Sequence, residues 1–158
     1  MCGILGIVDH CEIKNTGWHK DAIDSIKHRG PDYQGEWVNQ KEEIYFYHQR
    51  LKIIDLSDKA NQPMLSSDSN FVLIFNGELY NFQILKKELA SKGHKFRSNS
   101  DTEVVLASYI EWGVDCLKYF EGMFAFAIYD FKKSYIFIGR DITGEKPLYY
   151  FKDKNHFI

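Results

Sequence analysis

Phe71-Val72-Leu73-Ile74-Phe75-Asn76-Gly77-Glu78 is an unbroken apolar run that turns polar at its end. A short run rich in β-branched and aromatic side chains predicts a strand over 71–75. The absence of polar alternation predicts that both of its faces are covered. Outward from it, similar runs at 43–54, 123–129, 135–138 and 148–151, and a shorter one at 3–8, predict further strands. Strands that are apolar on both sides must be sandwiched between other layers.

Helix signals lie between these runs. Asn81 stands where a cap belongs, ahead of Phe82, Leu85 and Leu89, with Gly93 beyond the end. Ser100 precedes a second helical pattern of Val105, Tyr109 and Trp112 that stops at Gly113. A first helix is expected from near Thr16, with Trp18, Ala22 and Ile26 at four-residue spacing. The pattern predicts an α+β or α/β fold of helix, sheet, sheet and helix layers, and periodicity leaves its topology open.

Composition narrows the function classes. The 158 residues suffice for one substantial core, and no repeat, low-complexity tract or linker divides them, so a single domain over 1–158 is expected. Twenty basic against 22 acidic residues, a net charge of -2, give no footprint for nucleic acid or an anionic membrane. Cys2, Cys11 and Cys116 form neither a disulfide framework nor a zinc spacing, which points to a reducing cytoplasm and no metal site. No window has the length and apolarity of a membrane span or a secretory leader.

Several motifs can carry chemistry. If Met1 is removed, Cys2 bears a thiol and a free α-amine; such an amine titrates near ~7.7–8.0, so one residue can supply both nucleophile and base. The Asn76 amide and the Gly77 N–H are the donors an oxyanion hole needs, although Asn-Gly is also a hairpin-turn signal. Arg50 interrupts an apolar segment and needs an anionic partner, for which a ligand carboxylate and Asp55 compete equally. Ser100-Asp101-Thr102-Glu103 has capping-box spacing and leaves the Asp101 carboxylate available to a ligand ammonium. His28-Arg29-Gly30-Pro31-Asp32 reads as a turn with the side chains of a pocket rim and no assigned step.

Taken in order, Met1 to Ile4, His28 to Asp32, Arg50 to Leu56, Gln62 to Met64, Phe75 to Phe82, Ser100 to Glu103, Gly122 to Asp130 and Arg140-Asp141 with Lys146 to Tyr150 resemble the N-terminal glutaminase domain of asparagine synthetase-type, class II glutamine amidotransferases. The resemblance covers essentially the whole chain. It implies an N-terminal nucleophile hydrolase fold, a four-layer αββα sandwich, in which Cys2 attacks the side-chain amide of glutamine and Asn76 and Gly77 hold the oxyanion. It further implies that Arg50 binds the substrate α-carboxylate, that Asp101 and Glu78 bind its α-ammonium, and that Leu51, Ile53 and Ile54 line the pocket. Gln49, where relatives carry a charged residue, is expected to affect only the pocket rim, and Leu79 is a conservative apolar exchange.

The same resemblance implies no cofactor for this domain, with ATP and Mg2+ serving a C-terminal synthetase domain that receives the ammonia. The sequence lacks a glycine-rich phosphate loop and stops at the apolar His156-Phe157-Ile158, so a fragment of a longer protein is expected, with an apolar docking face near its C-terminal motif. A homodimer is left open. Two other readings also stand: the glutaminase of a sugar- or polysaccharide-amidating enzyme, and a non-catalytic module that keeps the fold. Joint presence of Cys2, Arg50, Asn76, Gly77 and Asp101 weighs against the last.

Overall fold

The fold is seen in a computed structural model, and the structure describes residues 2–10 and 17–158. The elements in chain order are β1 (Gly3–Asp9), α1 (Trp18–Ser25), β2 (Tyr33–Asn39), β3 (Ile44–Arg50), β4 (Met64–Leu65) and β5 (Phe71–Leu79), followed by α2 (Phe82–Ser91), α3 (Asp101–Trp112), β6 (Gly122–Asp130), β7 (Tyr135–Arg140) and β8 (His156–Phe157). The strands form two four-stranded sheets, β2-β3-β1-β8 and β4-β5-β6-β7, with antiparallel pairing throughout.

Three apolar cores separate four layers, because successive strand side chains point to opposite faces. On β3, Tyr45 and Tyr47 face α1 and pack with Ile7, Ile23 and Trp18. The alternate residues Ile44 and Phe46 face the other sheet and meet Val72, Ile74, Ala127 and Tyr129. The odd-numbered side chains of β5, Leu73, Phe75 and Leu79, turn away from that interface and pack beneath α2 and α3 with Leu85, Leu89, Val105 and Leu106. The result is the αββα sandwich expected of the doubly apolar strands. Each fully buried Leu, Ile, Val or Phe contributes roughly 1.5–3 kcal/mol, so the three cores together hold the layers.

Some elements differ from their expectations. The strand expected at 43–54 ends at Arg50, after which the chain leaves the sheet to form a cleft wall. β2 went unread because Tyr33–Asn39 alternates weakly and is largely exposed. The expected strand at 148–151 is absent; Tyr149 and Tyr150 are 87% and 78% exposed, and aromatic content there reflects an open surface rather than a sheet. Asn81 does not cap α2 with its side chain, since that amide bridges the Tyr119 carbonyl and the Glu121 N–H instead. On α1 the fully buried residue is Ile23, with Trp18, Ala22 and Ile26 of the expected stripe half-buried beside it. The helix start near Thr16, Cys11 and the fate of Met1 lie outside the described residues.

Candidate active site

Strand register assembles the site. Gly3 pairs with Gln49 in the β1–β3 ladder, which sets Cys2 at the end of β1 beside Arg50 and Leu51. Cys2 shares parity with Ile4 and Val8, Arg50 with Ile44 and Phe46, and Asn76 and Glu78 with Val72 and Ile74, all side chains of the inter-sheet core. Period-two alternation therefore aims all four residues into the gap at one end of the sandwich. There they line a cavity of about 100 Å³ with Leu51, Ile53, Ile54, Asp55, Gly77, Ser100 and Asp101. Its size lies well below the roughly 300–1,000 Å³ of drug-sized pockets, so it suits a small metabolite.

The Leu51 backbone holds the Cys2 thiol: the Leu51 N–H donates to Sγ at 3.4 Å and Sγ faces the Leu51 carbonyl at 3.7 Å. Burial pushes the thiol above its ordinary range, with the Leu51 backbone and Arg50 pulling the other way. Such a sulfur stays protonated at neutral pH unless a base takes its proton during reaction.

Asn76 and Gly77 do not form a hairpin turn. They continue β5, paired with Ala125 and Phe124 of β6. The Phe75 N–H and carbonyl both bond to the Gln62 side chain on the β4 side, and the Leu79 N–H donates to Asp101 Oδ2 at 3.0 Å. In an antiparallel strand every second residue presents its backbone to the same neighbour, so the Gly77 N–H, midway between these two, faces the same edge, which β4 does not reach. Glycine is required there because an added Cβ would lie 2.4 Å from the Met123 carbonyl oxygen and 2.7 Å from Phe124 Cα.

Arg50 is 5% exposed and organises the segment after β3. Its guanidinium donates to the carbonyls of Ser57 at 2.9 Å and Asp55, and to Asn61 Oδ1 at 2.6 Å. These acceptors are neutral, so they orient the cation without cancelling its charge. The Asp55 carboxylate turns elsewhere, accepting from Ser57 N and Asn99 N at 2.8 Å each, and the Ser57 side chain together with these N–H groups holds its pKa down. Between the two partners the sequence left open for Arg50, Asp55 thus supplies a carbonyl rather than an ion pair.

Asp101 opens α3, whose N-cap Ser100 accepts from Thr102 N at 3.1 Å. The capping box closes only on that side, because Glu103 accepts from Arg97 N and Ser98 N instead of reaching Ser100. Burial raises the Asp101 pKa, opposed by its bonds to Leu79 and Thr102 and reinforced by the charge of Glu78. Two neighbouring carboxylates opposite one guanidinium make a site for a zwitterion, one end anionic and the other cationic.

Other residues stand apart from their expectations or were not foreseen. Gln49 has odd parity and is not on the rim: it is 1% exposed and donates to Gln34 Oε1 at 3.0 Å on the α1 side of the sheet. The stretch 28–32 lies outside the cavity lining; Gly30 packs so closely on β3 that a Cβ would meet Gln49 O at 2.3 Å. Gln62, Thr102, Met123 and the buried Lys146 line the cavity without a role read from sequence, as their signal is tertiary. Among the described residues no group of three or more His, Cys, Asp or Glu is placed to hold a metal ion, and no helix is long and apolar enough to cross a membrane.

A family model described as a glutamine amidotransferase domain matches residues 1–158. Asparagine synthetase [glutamine-hydrolyzing] 3 of Bacillus subtilis is 40% identical over 162 residues, covering 100% of this chain and 26% of that protein. Asparagine synthetase B [glutamine-hydrolyzing] of Escherichia coli is 38% identical over 153 residues, covering 94% of this chain and 26% of that protein. The chain thus spans about a quarter of the length of these relatives. Glutamine phosphoribosylpyrophosphate amidotransferase from B. subtilis superposes with a TM-score of 0.74 at 23% identity, over 98% of this chain and 40% of that one, a likeness of fold.

Proposed function

The chain belongs to the glutamine amidotransferase domain family, and from that premise we propose that this domain hydrolyses glutamine to glutamate and ammonia through a thioester on Cys2. The observation that carries the reading is the convergence of Cys2, Arg50, Asn76, Gly77 and Asp101 on one small cleft. Arg50 takes the glutamine α-carboxylate, Asp101 with Glu78 takes the α-ammonium, and Leu51, Ile53 and Ile54 flank the side chain. The substrate amide carbonyl then lies between the Cys2 sulfur and the donors of β5.

Removal of Met1 exposes an α-amine that accepts the thiol proton as sulfur attacks the amide carbon. The C=O π electrons move to oxygen, which the Asn76 amide and Gly77 N–H stabilise. When the tetrahedral intermediate collapses, the C–N bond breaks, the amine returns the proton to nitrogen, and ammonia leaves a γ-glutamyl thioester. Water attacks that thioester to give glutamate and restores the thiol. A sulfur whose pKa burial has raised suits a mechanism in which the base is on the same residue.

In the longer protein the ammonia passes to a synthetase domain that uses ATP and Mg2+ to amidate an acceptor carboxylate. Two observations support that context: the relatives are about four times longer, at 26% coverage, and the adjacent Tyr149 and Tyr150 of the C-terminal motif are both exposed, where apolar side chains favour a partner surface. A cytoplasmic location fits the free thiols of Cys2 and Cys116.

The test is ammonia release from glutamine by protein whose intact mass shows Met1 removed. Cys2→Ala is expected to abolish release while keeping the fold. Equal rates in the two proteins, or full activity with Met1 retained, would overturn the role of Cys2.

A further inference from the structure

β4 stops at Met64, paired with Leu73, so continuing the register places Gln62 opposite Phe75. There a side chain replaces the missing strand. Gln62 Oε1 accepts from Phe75 N at 2.6 Å, and Gln62 Nε2 donates to Phe75 O at 3.2 Å and to Thr102 Oγ1 at 3.3 Å. From the facing sheet His48 Nε2 donates to the same Phe75 carbonyl at 3.2 Å. His48 is fully buried and Gln62 is 4% exposed. The peptide unit that immediately precedes Asn76-Gly77 is therefore gripped by two side chains from separate elements.

A buried histidine is an expensive way to fill a gap between two apolar sheets. His48 points the same way as Ile44 and Phe46, where an aliphatic side chain would pack without desolvating an imidazole, and among the described residues its Nδ1 has no hydrogen-bond partner. Burial and the charge of Arg50 keep the ring neutral, its pKa lowered to about 4, and the Phe75 carbonyl, which can only accept, holds the single ring proton on Nε2. An unsatisfied ring nitrogen has a structural cost, and a function in placing the neighbouring donors accounts for its retention.

We infer that His48 and Gln62 are positioning residues of the oxyanion pocket: by clamping the Phe75 peptide they hold the Asn76 amide and the Gly77 N–H where the developing oxyanion forms. The inference rests on the reading of Asn76 and Gly77 as oxyanion donors. A donor displaced by a fraction of an ångström stabilises the ground state almost unchanged and the transition state much less. The clamp therefore acts on turnover rather than on glutamine binding.

The experiment compares kcat per active site, counted by covalent labelling of Cys2, with KM for glutamine and with the affinities of glutamate and of its γ-aldehyde, whose thiohemiacetal carries an oxyanion. His48→Leu and Gln62→Leu are expected to lower kcat about tenfold or more, less than the ~10²–10³ for outright loss of a donor. KM and glutamate affinity should change under threefold, and aldehyde affinity should fall with kcat. His48→Gln, which returns an amide donor near the Nε2 position, should recover most of the loss. If a leucine variant does not fold, Gln62→Glu takes its place: it keeps the acceptor for Phe75 N, sets an oxygen against the Phe75 carbonyl, and is expected to lower kcat alike. Unchanged kcat per labelled site in folded variants, or equal losses in glutamate and aldehyde affinity, overturns the inference. Wild type and Cys2→Ala run in parallel separate the two readings: inactive wild type defeats the proposed reaction, whereas Cys2-dependent wild-type activity with fully active clamp variants defeats the clamp alone.

Discussion

The two walls of the cleft are built on opposite plans. The β5 wall is built on a strand ladder, with Asn76 and Gly77 paired to β6 and, on the edge that β4 does not reach, Phe75 and Leu79 fixed by Gln62, His48 and Asp101. The wall after β3 has no strand partner, and one guanidinium at its centre holds the chain by Ser57, Asp55 and Asn61. Groups that meet the transition state need fixed positions; groups that admit and release a ligand can sit on a segment held by side-chain ties, from Arg50 and to Asp32 and Asn99, rather than by a strand ladder. The difference assigns oxyanion stabilisation to the backbone of the first wall and carboxylate binding to the second, while Glu78 on β5 and Asp101 beside it take the ammonium.

Four variants test that division, in order of decreasing expected effect. Gly77→Ala strikes the β5 wall where the Met123 carbonyl leaves no room for a methyl group; kcat should fall ~10²–10³-fold, with about 1–3 kcal/mol of stability lost in urea unfolding. A near-normal kcat would mean that Gly77 is not a donor.

His48 makes the same wall sensitive to acid. The unfolded chain binds its proton near pH 6.5 and the folded one only near pH 4, because the buried ring resists charging. Its neutral burial is therefore tolerated in full above about pH 6.5, and stability is lost progressively as pH falls toward 4, on the order of 3 kcal/mol for the full shift. Urea titrations of wild type and His48→Gln should diverge over that interval; parallel curves would show that His48 is readily protonated in the fold.

Arg50→Lys keeps a positive charge but cannot fork across three acceptors, so KM for glutamine should rise about 10- to 100-fold with a smaller change in kcat. Limited proteolysis should cut the variant faster between Leu51 and Asn61. Asp101→Asn retains an oxygen for the Leu79 N–H and removes only the charge, so about a tenfold rise in KM with little change in stability is expected. A fall in kcat with unaltered KM in the Arg50 variant would erase the distinction between the walls, and the same result for Asp101→Asn would remove Asp101 from ammonium binding.

The β5 wall was largely legible in the sequence, because its apolar run and polar end record layer and boundary in adjacent residues. Even there, Asn76-Gly77 also resembled a turn, and only pairing with β6 decides otherwise. The second wall was less legible: the strand was expected to run to residue 54, whereas the chain leaves the sheet at Arg50 and bends around its own side chain. Gln62 and His48 carried no readable role, since their contacts to Phe75 span 13 and 27 residues of sequence. Likewise the aromatic stretch 148–151 has the composition of a strand, yet only its last residue, Phe151, pairs, exchanging backbone bonds with Ile158, and composition cannot report how far pairing extends.

Alternation along β5 also limits how such a protein can be altered. Phe75, Gly77 and Leu79 present their backbones to one edge as teeth on a ratchet, and a single-residue insertion upstream within the strand would advance it by half a tooth. The asparagine side chain would rotate into the helix layer and a different amide would face the cleft. Connections on either side can therefore be lengthened, while the strand itself tolerates like-for-like replacement of its apolar residues but not a change of length.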